Sequence, residues 1–165
     1  MNLIVNVSEN WAIGRGNELL FHLSTDMKFF KSQTIEKTVV MGRKTLESFP
    51  GKKPLPKRKN IVLTTNPDFC AENVEIIHSI DELLKKIDLE NSEDIYVIGG
   101  ETIYRQLLPY CDTAFVTKVA STVNDADAFM VNLDDDENWE IADESETMNE
   151  KGYDFKFVTY KKKAI

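Results

Sequence analysis

The chain has 165 residues, with 20 Lys+Arg against 28 Asp+Glu and a formal net charge of −8. At this length folding buries roughly 70% of the surface an unfolded chain exposes, enough for one core without disulfides or structural metal, so a single domain over residues 1–165 is expected. The 42% hydrophobic and 29% charged fractions describe a globular chain rather than a disordered or membrane-embedded one. The acidic balance argues against nucleic acid as a partner, because phosphate-backbone binding needs clustered Lys and Arg. Cys70 and Cys111 have no C-x-x-C spacing, and the N-terminus has neither a basic region nor a long apolar run. No membrane partner and a reducing cytoplasm are expected.

In chain order, Ile4, Val5 and Val7 open an apolar run before Ser8-Glu9-Asn10, and similar runs recur at 38–41, 61–63, 95–98 and 114–119. They are mostly β-branched and too short for helices, so they read as strands buried on both faces, the pattern of a parallel sheet. The stretch 8–23, interrupted by Gly14 and Gly16, has no clear period yet carries Trp11, Ile13, Leu19, Leu20 and Phe21. It reads as a long apolar loop closing over a site. Helical patterns occupy 24–34, 79–89 and 101–108, the second opening on Ser79 as N-cap with Asp81 and Glu82 in its first turn. Strand and helix alternate through residue 119, which gives an α/β class. Beyond it, 132–138 reads as an acidic loop, 139–142 as a strand and 153–160 as a strand alternating aromatic and polar residues. These last two are expected to finish one edge of the sheet as an antiparallel pair.

Positions 23, 27, 30 and 34 share one helix face, which directs Leu23, Met27 and Phe30 to the core and leaves Asp26 at its margin, behind Ser24 as N-cap. Asp26 then has two readings: a first-turn acid favoured by the helix dipole, or a carboxylate in an apolar pocket, its pKa raised by desolvation, gripping an amidine-like group. Val39-Val40-Met41-Gly42-Arg43-Lys44-Thr45 is a strand ending on Gly, then two cations and a hydroxyl at a helix start. That is either phosphate-binding chemistry or a turn with solvated cations. Ile98-Gly99-Gly100-Glu101-Thr102 repeats the arrangement, and two such junctions at one sheet edge suit the two ends of a dinucleotide. Neither G-x-G-x-x-G nor G-x-x-x-x-G-K-[ST] is present. Lys57-Arg58-Lys59 either focuses an anionic ligand or keeps the loop soluble. His22 and His78 lack a second ligand at metal spacing, so no metal is expected; Asp134-Asp135-Asp136-Glu137 and Lys161-Lys162-Lys163 read as solvated.

Taken together, the Ile13-Gly14 loop, the 23–31 helix with Asp26 and Phe30, Met41-Gly42-Arg43-Lys44-Thr45, Leu55-Pro56-Lys57-Arg58-Lys59-Asn60 and Ile98-Gly99-Gly100 with Tyr104 resemble dihydrofolate reductase over essentially the whole chain. The resemblance implies NADPH-dependent reduction of 7,8-dihydrofolate to tetrahydrofolate in one-carbon metabolism, by a monomer. The fold implied is a single-domain, three-layer one: a mixed, mostly parallel sheet of eight strands, helices on both faces and an antiparallel C-terminal edge. By the same resemblance Asp26 holds the pteridine N3 and 2-amino group and favours protonation at N5, which a water performs. Thr117 bonds near Asp26, and Phe21 stands beside them. Ile4, Val5, Met27, Phe30, Phe49, Leu55 and Ile98 wall the folate pocket, and Arg58 clamps the glutamate α-carboxylate. Arg43, Lys44, Thr64 and Thr65 meet the adenosine 2′-phosphate; Thr45, Gly99, Gly100, Glu101 and Thr102 take the pyrophosphate. Asn6, Ile13, Gly14, Leu19, Gly42, Leu63, Ile98 and Tyr104 complete the cofactor side, and the Gly99-Gly100 bond is expected to be cis.

Several residues depart from the family's pattern. Leu20-Phe21 stand in place of Pro-Trp, which removes an indole N–H that would anchor a water near Asp26. Ser24 replaces a Pro, and Asn6 a small apolar residue. The Gly-Asp-Thr of the loop supporting the active-site cover reads Asp125-Ala126-Asp127, which leaves the support of that cover open. Three alternatives follow: another reductase of the same fold, against which Asp26 and Arg58 speak; a catalytically idle nucleotide-binding descendant; and an acidic receiver domain, which Glu9 alone does not supply.

Overall fold

The apolar runs become the central strands of one sheet in a computed structural model that describes residues 1–88 and 91–164. Strand β1 (Asn2–Val7) is followed by β2 (Ala12–Arg15) and β3 (Glu18–Leu19), then helix α1 (Ser24–Thr34), β4 (Thr38–Gly42) and α2 (Arg43–Ser48). The middle of the chain forms β5 (Lys59–Leu63), β6 (Glu75–Ile77), α3 (Ile80–Ile87), β7 (Ile95–Gly99), α4 (Glu101–Leu107) and β8 (Thr113–Val119). The remainder supplies β9 (Ala128–Phe129), β10 (Trp139–Glu144), β11 (Met148–Glu150) and β12 (Tyr153–Lys162). The main sheet runs β10-β12-β8-β1-β7-β4-β5-β6, and short β11 pairs with β12. Pairings from β8 through β6 are parallel; those of β12 with β8, β10 and β11 are antiparallel. The expected mixed sheet of eight strands with an antiparallel C-terminal edge is thus present, carrying β11 in addition.

Because successive strand side chains point to opposite faces, each central strand feeds two apolar layers. Leu3, Val5, Val7, Val40, Ile61 and Val97 pack under Leu83 of α3 and Ile103 and Leu107 of α4. On the other face Ile4, Val39, Met41, Val62 and Tyr96 meet Leu46 of α2 and Phe29 and Phe30 of α1. Leu83 and Leu107 are fully buried, and truncating either to Ala is expected to cost roughly 2–5 kcal/mol.

Where the chain departs from the sequence expectation, tertiary partners account for it. Residues 8–23 are not irregular throughout: β2 pairs with β3 on one side and with β9 on the other in a small antiparallel sheet. The expected acidic loop contains a 3-10 turn at Leu133–Asp135, and Asp134 is not merely solvated. Its carboxylate takes hydrogen bonds from Lys118 Nζ and the Tyr160 hydroxyl, both at 2.7 Å. Lys161 and Lys162, expected to be solvated, donate to Thr113 Oγ1 and the Pro109 carbonyl. Helix α3 is capped by Ser79, which accepts from Glu82 N; the last residue of its expected span, Leu89, lies outside the described residues. Helix α4 ends at Leu107 and a 3-10 turn, Leu108–Tyr110, follows.

Candidate active site

The inward face of α1 is one notch away from the expected one. Leu23 is 1% exposed, but Met27 is 57% exposed. Phe29 takes the inner position instead, stacked on Phe157 with ring centroids 4.3 Å apart. The stripe toward the sheet runs through positions 23, 26, 29 and 30, so Asp26 lies within it rather than at its margin, and Met27 is displaced to the rim. Ser24 does not cap this helix; its N-cap is Leu23, without a side-chain bond. The cap is Glu150, whose carboxylate accepts from Ser24 N (2.5 Å), Ser24 Oγ (3.0 Å), Thr25 N (3.1 Å) and Thr25 Oγ1 (2.8 Å). Glu150 precedes a two-residue turn, Lys151-Gly152, with φ of 53° and 83°, the backbone signature of a tight hairpin. Lys151 Nζ also donates to the His22 carbonyl at 2.7 Å. The hairpin tip thereby fixes the start of the helix that carries Asp26.

Across the sheet, the β1–β8 register sets Asn6 opposite Thr117 and Ile4 opposite Phe115. Asn6 Nδ2 donates to Asp26 Oδ2 at 2.8 Å, and Thr117 Oγ1 donates to Oδ1 at 2.6 Å. Burial pushes the Asp26 carboxyl above its ordinary 3.8; the two neutral donors pull it down in part, and the Glu150 charge pushes it up again. Of the expected pocket wall, Ile4, Phe30, Phe49, Leu55 and Ile98 share one apolar cluster. Val5 does not join it: its side chain lies in the opposite layer with Ile103 and Tyr104, so only its main chain can serve the pocket. Phe21 packs with Leu23, Val119 and Phe155 and sets its ring edge-on to Tyr153 at 5.1 Å. Arg58 is steered from two sides, Nε donating to the Pro56 carbonyl at 3.0 Å and Nη1 to Thr34 Oγ1 at 3.1 Å.

The two glycine junctions are neighbours. Met41 pairs with Gly99 across β4 and β7, a side chain on Gly42 would press on Ile103 at 3.0 Å, and one on Gly100 would sit 3.5 Å from Thr45 Oγ1. Gly99 has φ +125° and lies against the Tyr104 ring, and the Gly99-Gly100 bond is cis as expected. Helices α2 and α4 open on Gly42 and Gly100 without side-chain caps, so among the described residues no side chain claims the first-turn N–H groups beside Thr45. That bare cradle fits a dinucleotide phosphate chain. The Tyr104 hydroxyl is buried, donating to the Ile4 carbonyl at 2.7 Å, and burial raises its pKa. Arg43 pairs with Glu47 one turn on, and Lys44 is exposed. Thr64, directly after β5, accepts from Asn66 N, and Thr65 is exposed. Glu101 turns to β9, accepting from Phe129 N at 3.1 Å, while Thr102 is exposed. Ile13 is partly buried and Leu19 is 60% exposed.

The segment over the site is tied down. Asp127 Oδ2 accepts from Gly16 N at 2.9 Å and Asp127 N donates to the Gly14 carbonyl at 3.0 Å. Arg15 Nη1 reaches both Asp125 oxygens at 2.8 and 2.9 Å, and Asn17 Nδ2 donates to the Lys44 carbonyl at 2.9 Å. The altered tripeptide therefore still holds the cover. Asn6 as a donor to Asp26, Glu150 as a cap and Asn17 were not singled out from sequence for these roles; only Asn6 was noted, as a departure, and the Lys151-Gly152 turn is the signal that could have located Glu150.

Comparison with known proteins agrees with this geometry. A family model described as dihydrofolate reductase matches residues 1–162. The chain is 37% identical over 161 residues to a dihydrofolate reductase of Neisseria meningitidis serogroup A, covering 97% of this chain and 96% of that one. It is 35% identical over 165 residues to that of Bacillus subtilis, covering 99% and 95%. A solved dihydrofolate reductase from Enterococcus faecalis, complexed with NADP(H) and RAB-propyl, superposes with a TM-score of 0.88 at 36% identity, covering 99% and 96%. An α1 carboxylate held from two strands beside paired glycine junctions, together with these matches over nearly the full length, places the chain in the NADPH-dependent dihydrofolate reductase family.

Proposed function

We propose that this chain reduces 7,8-dihydrofolate to 5,6,7,8-tetrahydrofolate in the one-carbon metabolism of the cytoplasm, acting as a monomer on a small-molecule substrate. The observation that carries the mechanism is Asp26: a carboxylate on a helix face packed against apolar side chains, with neutral donors on both oxygens. When bound, NADPH would supply the hydride for C6 of the pterin. Asp26 grips N3 and the 2-amino group, and by holding negative charge at that end it favours protonation of N5 from water, which readies the adjacent carbon. Ile4, Phe30, Phe49, Leu55 and Ile98 exclude water from the ring system, and Arg58 holds the glutamate α-carboxylate with a planar fork. Arg43, Lys44, Thr64 and Thr65 would hold the 2′-phosphate, and Gly42, Thr45, Gly99 and Gly100 the pyrophosphate. The idle-descendant reading loses two of its supports here, since Asp127 holds the cover and Asn6 engages Asp26.

The test follows NADPH oxidation with dihydrofolate at several pH values. Activity is expected to weaken as pH rises, because N5 takes its proton from water while Asp26 stays ionised. Arg43→Ala is expected to hurt NADPH far more than NADH, and an equal loss with both would assign the 2′-phosphate to other residues.

A further inference from the structure

The strand pair β1 and β8 meets Asp26 in an arrangement of its own. In the parallel register Asn6 stands directly opposite Thr117, and each sends one donor to a different carboxylate oxygen, at 2.8 and 2.6 Å. Both strands are central in the sheet, so its ladders fix the backbone positions from which the two donors reach Asp26. An ionised carboxylate has about four lone-pair sites. One on each oxygen is used by the strands, and one on each is left for a ligand with two adjacent N–H groups. Phe21, which packs with Leu23 on the same side of the molecule, has no donor to offer.

We propose that Asn6 is a positioning residue for Asp26: with Thr117 it fixes the carboxylate plane from the sheet, so that the two unused lone pairs form a fork set for the amidine-like edge of a pterin. This deepens the reading that Asp26 grips the substrate and rests on it. A side chain without a donor at position 6 would leave Oδ2 free to rotate out of that plane or to take up a proton. The groups acting on Asp26 come from every element around it. Asn6 lies on β1 and Thr117 on β8; Tyr104 on α4 has its hydroxyl committed to the Ile4 carbonyl; Glu150 on β11 adds like charge. No cation is among them, so the amide of Asn6 and the hydroxyl of Thr117 are what favour the ionised form.

The experiment is a carbon-13 carboxyl titration of Asp26 in the ligand-free protein, paired with steady-state kinetics across pH. Removing a donor to the ionised form raises a carboxyl pKa. Asn6→Leu is therefore expected to move the Asp26 midpoint up by about one unit. KM for dihydrofolate should rise roughly fivefold, more than kcat falls, with the loss greatest on the acid side, where the raised midpoint leaves less of Asp26 ionised. Asn6→Ala removes the same donor and serves if the leucine variant does not fold. Asn6→Asp, which sets a second carboxyl at hydrogen-bond distance, is expected to raise the midpoint further as the pair shares a proton. An unchanged Asp26 midpoint in both the donor-free and the aspartate variants would overturn the proposal. Because that midpoint is read without substrate, it stands apart from the Asp26→Asn activity test, whose failure would overturn the substrate role instead.

Discussion

Asp26 and Asp134 each accept hydrogen bonds from two side chains. Asp26 takes an amide and a hydroxyl, from Asn6 and Thr117; Asp134 takes an ammonium and a phenol, from Lys118 and Tyr160. Burial pushes both carboxyls up. At Asp26 the neutral donors offset only part of that effect and Glu150 reinforces it, so the pKa stays raised. At Asp134 the bonds from Lys118 and Tyr160, with the Lys118 and Lys156 charges, prevail and the pKa falls below 3.8. The number of hydrogen bonds does not decide the sign; how deeply the carboxyl is buried and whether a cation is among its donors do. One acid is kept ready for a ligand that brings its own donors, while the other is satisfied within the fold, where Lys118 also lies 5.4 Å over the Trp11 ring.

Substituting both acids by their amides breaks this comparison most sharply. Asp26→Asn is expected to lower dihydrofolate turnover at neutral pH by about 100-fold or more, and Asp134→Asn to leave it within about twofold. Equal rates for Asp26→Asn and the parent would defeat the role of Asp26. The stability effects run the other way. A carboxylate whose folded pKa is raised costs stability increasingly as pH climbs from 3.8 toward that pKa, so Asp26→Asn is expected to raise Tm at pH 7. Asp134 contributes stability above its unfolded pKa and loses it as pH falls through its folded pKa. Asp134→Asn is therefore expected to cost about 1–2 kcal/mol at pH 7 and to converge on the parent in acid, as thermal melts across pH would show.

The same two acids mark how far the sequence could be read. Asp26 stood out because Leu23 and Phe30 flank it at helical spacing, whereas Asp134 sits in a run of four acids and looked solvated. Its partners are 16 and 26 residues away in sequence, and only the β8–β12 pairing brings them together. The β-branched runs were legible as buried strands for a local reason: side chains that pack on both faces leave no polar alternation. The glycine junctions were legible because Gly42 and Gly99 end strands and Gly100 follows directly before a helix. Strands β2, β3 and β9 were not, since two to four residues each carry too little pattern and depend on pairing with one another. Asn6 was noticed only as an oddity, because nothing in its neighbours says that Thr117 will lie across from it.

Glu150 offers a smaller but more discriminating test, since it joins the cap of α1 to the charge felt by Asp26. Its four bonds to Ser24 and Thr25 hold its carboxyl down to about 2. A depressed folded pKa means a contribution present above the ordinary 4.5 and lost as pH falls from there toward about 2. Glu150→Gln keeps one acceptor oxygen and removes the charge. At pH 7 its Tm is expected to fall below the parent's, with the gap closing as the parent's own carboxyl protonates below pH 4.5. The Asp26 midpoint should drop at the same time, because a repelling neighbour is gone. A Tm gap that stayed constant from pH 7 to about 2 would mean that the charged carboxylate is not what caps the helix. A fixed Asp26 midpoint would mean that the hairpin positions the catalytic helix without tuning its acid.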